Sequence, residues 1–298
     1  MLRIILLIEI ILLALQIPDT CAWDVLVVQN CRVKPYAEAL QGFKTVCKVK
    51  TTELVISELN GEDVRAEIRN RNPDLILAIG MYALSKVRKI KGKPIVYLMV
   101  LYPDTVLTGE KNITGISMII PPERQLSYLR KVMPRVKRVG LVYDPKTTGH
   151  LVARAYKAAA KMGIELTALR ANRPEEFPEL LKRIKGRADV FWMLPDSTVI
   201  TPESAEYLIL FSMKNKIPIL AFSEKYLKMG AFMSVEINSF NLGKQAGEMA
   251  RKILSGIPVE DIPTSDAADA NISVNHIIAK KMDIIVTSDA VYNPMMAR

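Results

Sequence analysis

The strongest constraint on this chain is a rhythm that runs through it twice. Short, unbroken apolar runs alternate with stretches whose apolar residues recur every three or four positions. The runs of the first pass are Asp24-Val25-Leu26-Val27-Val28-Gln29, Leu54-Val55-Ile56, residues 74–79 and residues 94–100. Between them, residues 35–46, 62–71 and 83–90 carry helical spacing, as in Ala39, Leu40, Phe43 and Val46. A continuously apolar run belongs to a strand covered on both faces. Strands separated by helices of about ten residues form βαβ units and a parallel sheet.

The rhythm pauses at Asn112-Ile113-Thr114-Gly115-Ile116-Ser117 and restarts. Strands are expected over 138–143, 164–169, 189–194 and 217–222, and helices over 122–133, 151–162, 174–184 and 202–215. Thr201 is the expected N-cap of the last helix, with Pro202 in its first turn. The two arrays, 24–115 and 118–230, repeat an architecture and not a sequence. Pieces are left over after both: a strand-like segment over 230–236, a long helix over 238–255 with Leu242, Ala246, Met249 and Ile253 on one face, a segment at 270–274 and a short helix through Ala279. The chain is therefore expected to cross back between two lobes, 23–117 plus 236–266 and 118–235 plus 267–298. Loops at the carboxyl ends of the strands would face each other across a cleft, where open parallel sheets bind ligands.

The N-terminus reads as a signal peptide over residues 1–22. Arg3 precedes an apolar run over 4–15 that is too short for a spanning helix of ~20 residues. Pro18 and the small residues Thr20, Cys21 and Ala22 follow, with cleavage expected near Ala22. An uncleaved anchor is the competing reading. Pro18-Asp19-Thr20 makes a poor lipobox for Cys21. The expected location is periplasmic or otherwise extracytoplasmic.

The net charge is +10, from 41 basic and 31 acidic residues, which alone permits nucleic acid, a membrane surface or an anionic ligand. Export, and the lack of a helix-turn-helix segment or basic tail, argue against nucleic acid. The basic cluster Lys86, Arg88, Lys89, Lys91 and Lys93 reads as a solvated face, with steering of an anionic partner as the alternative. Only two His are present, so no metal site is expected. Cys31 and Cys47 flank a helix ~18 Å long, whereas disulfide Cα atoms lie within ~7 Å. Two free, buried thiols are expected. G-x-S-x-G, G-x-x-x-x-G-K-[ST], G-x-G-x-x-G and H-E-x-x-H motifs are all missing, so neither an enzyme nor a cofactor is expected.

Several strings carry a resemblance: residues 72–80 (Asn-Pro-Asp-Leu-Ile-Leu-Ala-Ile-Gly), Asn112-Ile113-Thr114-Gly115, residues 139–145, Leu194-Pro195-Asp196-Ser197-Thr198-Val199, Lys216-Ile217-Pro218-Ile219 and residues 243–256. In order and spacing the chain resembles the ABC transporter substrate-binding proteins whose known members include tryptophan- and tyrosine-binding proteins. The resemblance implies the type I periplasmic binding fold: α/β, two Rossmann-like lobes with parallel sheets joined by a three-segment hinge near Ser117, 230–236 and 267–272. It implies a monomer that captures a small molecule, an amino acid or similar, and delivers it to an ABC permease by hinge closure. A sensor component not coupled to import is the alternative, since one fold serves both.

By the same resemblance the ligand is touched by Gln29, Asn30, Gly80, Met81, Tyr82, Tyr102, Asp196, Ser197, Thr198, Ser223, Glu224 and Glu236. Chemistry agrees for an amino-acid-like ligand. Backbone N–H groups after Gly80 suit a carboxylate. Asp196 or Glu236 suits an ammonium. Tyr82, Tyr102 and Phe222 suit an aromatic wall. Three positions depart from the family pattern: Met81 where a small hydroxyl residue is usual, Leu101-Tyr102-Pro103-Asp104 in place of a small-Asp-Pro loop, and Glu236 in place of Asp. They remove a hydroxyl and add bulk, which leaves open a more apolar or a smaller ligand.

Overall fold

A computed structural model describes residues 23–59 and 63–287. The expected signal peptide lies outside the described residues. The chain forms two compact units, Met1–Met118 with Ser239–Ser265 and Ile119–Asn238 with Asp266–Arg298, so it passes between them three times.

The first pass builds β1 (Asp24–Gln29), α1 (Lys34–Val46), β2 (Lys50–Val55), α2 (Val64–Arg71), β3 (Leu75–Ile79), α3 (Met81–Val87), β4 (Ile95–Val100) and β5 (Ile113–Ser117). The second unit follows: α4 (Pro122–Val132), β6 (Arg138–Tyr143), α5 (Pro145–Lys161), β7 (Glu165–Arg170), α6 (Phe177–Ile184), β8 (Val190–Trp192), α7 (Pro202–Asn215), β9 (Ile219–Ala221), α8 (Glu224–Met229) and β10 (Met233–Ile237). The chain returns through α9 (Ser239–Leu254) to the two-residue β11 (Ser265–Asp266), followed by β12 (Ala270–Val274) and α10 (His276–Lys281).

Each sheet has six strands, in the orders β11-β5-β4-β3-β1-β2 and β12-β10-β9-β8-β6-β7. β1 to β5 pair in parallel, as do β6 to β10 along their sheet, and β12 is antiparallel to β10. The apolar runs become central strands: Val25 to Val28 and Leu75 to Ile79 are fully buried. In the second unit Trp192 is buried, and its indole Nε1 donates to Gln125 Oε1 at 3.0 Å. Thr201 caps α7 as its sequence predicts, accepting from the Ser204 N–H while the Ser204 hydroxyl accepts from the Thr201 N–H.

Helices α1 and α9 meet backbone to backbone in the first unit. A Cβ on Gly42 would overlap the Phe240 carbonyl, and one on Gly243 would overlap the Ala39 carbonyl. Two helices can approach this closely only where side chains are missing.

The structure differs from the sequence reading in several places, each with a local cause. Residues 112–117 hold a buried strand, β5, and not a pause. Gly115 hid it, and it sits there because a Cβ would overlap the Tyr97 carbonyl of β4. β2 begins four residues before Leu54, since Lys50 to Glu53 lie on a sheet edge and need not be apolar. α5 begins at Pro145 and not at 151, because the Asp144 side chain caps it through the Lys146 N–H at 2.9 Å. α2 begins at Val64, capped by Asp63, and α8 had no expected counterpart. Both described cysteines are free, but only Cys47 is buried; Cys31 is half-buried in the loop after β1.

Candidate functional site

Parallel pairing puts the carboxyl ends of β6, β8, β9 and β10 on one edge of the second unit's sheet. The expected residues Asp196, Ser197, Thr198, Ser223, Glu224 and Glu236 all lie at this edge. Asp196 is 1% exposed and its carboxylate is saturated. Oδ2 accepts from the Asp144 N–H at 2.9 Å and the Thr148 hydroxyl at 2.5 Å. Oδ1 accepts from the N–H groups of Thr198 at 3.0 Å and Val199 at 3.2 Å. Two oxygens offer about four lone-pair directions, and here all are used. Asp196 thus ties the loop after β8 to the start of α5.

Asp144, which sequence reasoning left out, is the second acid of this network. Its Oδ2 accepts from the hydroxyls of Thr198 at 2.8 Å and Thr147 at 3.3 Å. The Lys146 N–H, with these hydroxyls, holds the Asp144 carboxyl below the usual carboxylate range, against an opposing push from burial. The sequence signal was the Asp-Pro pair directly after a strand, a cap followed by a first-turn proline. Ser197 is exposed beside it.

Farther along the edge, the Ser223 hydroxyl donates to Glu236 Oε1 at 2.8 Å. β9 and β10 are neighbours, so residues thirteen apart in sequence meet here. Glu236 is half-buried. Phe222, also half-buried, packs edge-on against Tyr226 with ring centroids 5.1 Å apart. Glu224 opens α8.

In the first unit the carboxyl ends of β1, β3 and β4 share an edge in the same way. Gln29 is buried, and its Nε2 donates to Glu53 Oε2 of β2 at 3.2 Å. The Asn30 carbonyl accepts from the Ser57 N–H. Gly80 has φ +91°, and the Tyr36 hydroxyl fills the space a Cβ would take, so this turn requires glycine. Met81 is half-buried, and Tyr82 is 47% exposed with the Lys86 ammonium 5.0 Å from its ring centre. Tyr102 is half-buried, and its carbonyl accepts from both the N–H and the hydroxyl of Thr105.

One feature of this edge had no sequence signal. Met99, within β4, has φ +57°, and the β4–β5 register shifts between Tyr97 and Val100. Positive φ at a side-chain-bearing residue costs of order 1–3 kcal/mol, and bulges of this kind re-aim the residues that follow. Here those residues are Leu101 and Tyr102.

Among the described residues no group of three or more His, Cys, Asp or Glu is placed to hold a metal ion, and no helix is long and apolar enough to cross a membrane. A cavity of about 760 Å³ at the opposite edge of the first unit's sheet is lined by Trp23, Cys47 and Arg251 and contains none of the expected site residues.

Residues 38–295 match the model of a family described as ABC transporter substrate binding protein. A tyrosine-binding protein of Clostridioides difficile (strain R20291) is 25% identical over 232 residues, which span 75% of this chain and 67% of that protein. Among solved structures, a ligand-free, open substrate binding protein with adhesive properties from Clostridium difficile superposes with TM-score 0.72 at 22% identity, over 91% of this chain and 98% of that one. An ABC domain in complex with L-Trp from Streptococcus pneumonia superposes with TM-score 0.59 at 18% identity, over 90% of this chain and 97% of that one.

Proposed function

Given that this chain belongs to the ABC transporter substrate-binding protein family and has the type I periplasmic binding fold, we propose that it captures an amino acid or a close analogue between its two units and delivers it to an ABC permease. The observation that carries this reading is the Ser223–Glu236 pair at the carboxyl edge of the second unit's sheet. Ser223 occupies one oxygen, Oε1, and orients the carboxylate; Oε2 is the acceptor for a ligand ammonium. Asp196, saturated by its own loops, shapes this edge and leaves direct contact to Ser197 and Thr198. Tyr82, Tyr102 and Phe222 supply the aromatic wall, and Gln29, Asn30, Gly80, Met81 and Glu224 complete the set. The curated relative's ligand, tyrosine, and the L-Trp of the solved complex support an aromatic amino acid.

In this reading the protein is exported by a cleaved signal peptide, acts as a monomer, performs no catalysis, and closes about the segments near Ser117, 230–236 and 267–272. Thermal melting against a panel of amino acids, peptides, organic acids and aromatic compounds tests it. A ligand at 100 times its Kd adds ~2.7 kcal/mol of stability, an upward shift of several degrees. A shift with an aromatic or branched amino acid is expected. A hit confined to organic acids or peptides would replace the ligand class, and no shift with any compound would refute capture.

A further inference from the structure

We propose that the first unit carries a second binding site, for a small multivalent anion bearing phosphate or several carboxylates, in the groove between α2, α3 and the loop after β4. The proposal does not rest on the amino-acid reading. The groove holds about 750 Å³, within the range of small-molecule sites. Four cations line it: Arg65 from α2, and Lys86, Arg88 and Lys89 from α3 and the residues just after it. Of these only Arg88 has a carboxylate partner among the described residues, Glu110 at 3.1 Å. Asp63, the one acid among the described lining residues, caps α2 by accepting from the Arg65 N–H at 3.0 Å. Among the described residues Arg65, Lys86 and Lys89 have no carboxylate in ion-pair contact, and the four cations outnumber Asp63.

The neutral groups of the groove argue for charge as the recognised feature. The Ser85 hydroxyl donates to the Tyr82 carbonyl and the Thr105 hydroxyl to the Tyr102 carbonyl, each at 2.7 Å. Both hydroxyl protons are spent, which leaves side-chain hydrogen-bond donation in the groove mainly to the cations. The Lys86 ammonium rests over the Tyr82 ring, which keeps it beside the groove. Lys86 and Lys89 lie three apart, and like charges at that spacing repel. An anion shared with Arg65 relieves that repulsion, and a concave wall lined mainly by positive charge concentrates anions. This gives a role to Lys86, Arg88 and Lys89 of the basic cluster, which sequence alone read as a solvated face with steering of an anionic partner as the alternative.

Titration calorimetry with inorganic tripolyphosphate tests the proposal on the purified protein. One saturable site is expected, weakening severalfold as NaCl rises from about 20 to about 200 mM. The double substitution Lys86→Gln with Lys89→Gln should weaken it at least about tenfold, while Lys137→Gln with Lys185→Gln, on the second unit, should leave it unchanged. Three results would overturn the proposal: no saturable binding of tripolyphosphate, equal weakening by both double variants, or binding only to anionic phospholipid vesicles. Binding of the amino-acid panel is read separately, so either proposal can fail while the other stands.

Discussion

Replacing Asp196 with alanine is expected to lower the unfolding free energy by about 3–5 kcal/mol. The side chain is 1% exposed and accepts four hydrogen bonds, three of them from backbone N–H groups. Alanine removes every acceptor at once. A buried donor left unsatisfied costs ~1–3 kcal/mol, and the half-buried position of Thr198 lets water recover part of the total. Asp196→Asn should cost less, about 1–3 kcal/mol: one oxygen still serves two donors, and the Thr148 hydroxyl can turn to accept, but the Asp144 N–H then faces an amide NH₂. Urea unfolding followed by tryptophan fluorescence checks this with a built-in control. The chain has two tryptophans, and Trp192 lies in the second unit whereas Trp23 lies in the first. A loss under ~1 kcal/mol for Asp196→Ala would mean that water already serves these donors.

Gly243→Ala sets two opposing effects against each other. In a helix interior alanine is favoured over glycine by ~1 kcal/mol. The new methyl, however, would meet the carbonyl oxygen and carbon of Ala39 and the amide nitrogen of Phe43, all backbone atoms that no rotamer change can move aside. α1 and α9 must then separate, and the close approach of Gly243 and Gly247 to Ala39, Phe43 and Val46 opens along the seam. Overpacking of this kind costs ~1–3 kcal/mol and more against rigid backbone, so a net loss of about 3 kcal/mol is expected. Gly247→Ala should cost less, since its Cβ would meet the Phe43 oxygen at 2.9 Å and the Val46 Cβ at 3.1 Å. Gly149→Ala in α5, where the nearest atom is the Pro145 Cβ at 3.9 Å, should instead raise stability by about 0.5–1 kcal/mol. Equal gains at positions 149 and 243 would contradict the close approach of the two helices.

Much of the fold was legible because central parallel strands must be apolar on both faces, and runs such as Val25 to Val28 can be little else. What escaped was written in weaker signals. Edge strand β2 needs no apolar start, β5 is broken by a glycine that a neighbouring carbonyl demands, and α5 starts on a polar turn held by one aspartate. The candidate site was legible as a set of loops, since the carboxyl ends of parallel strands are fixed once the strands are. Its internal wiring was not. Asp144 and Asp196 lie 52 residues apart and Ser223 and Glu236 thirteen, and only strand order brings them into contact. The saturation of Asp196 depends on three backbone N–H groups, which carry no residue identity at all. The positive φ of Met99 likewise reflects the register of a neighbouring strand and not the character of methionine.

Glu236, oriented by Ser223, is proposed to receive the ammonium of a captured amino acid. Titration calorimetry of the panel's amino acids into the wild-type protein and the Glu236→Gln variant tests it most directly. One-to-one binding of at least one of them is expected, weakened about tenfold or more by Glu236→Gln, with the melting temperature of the ligand-free protein little changed. Equal affinity in the two proteins, or no binding to the wild type, would contradict it.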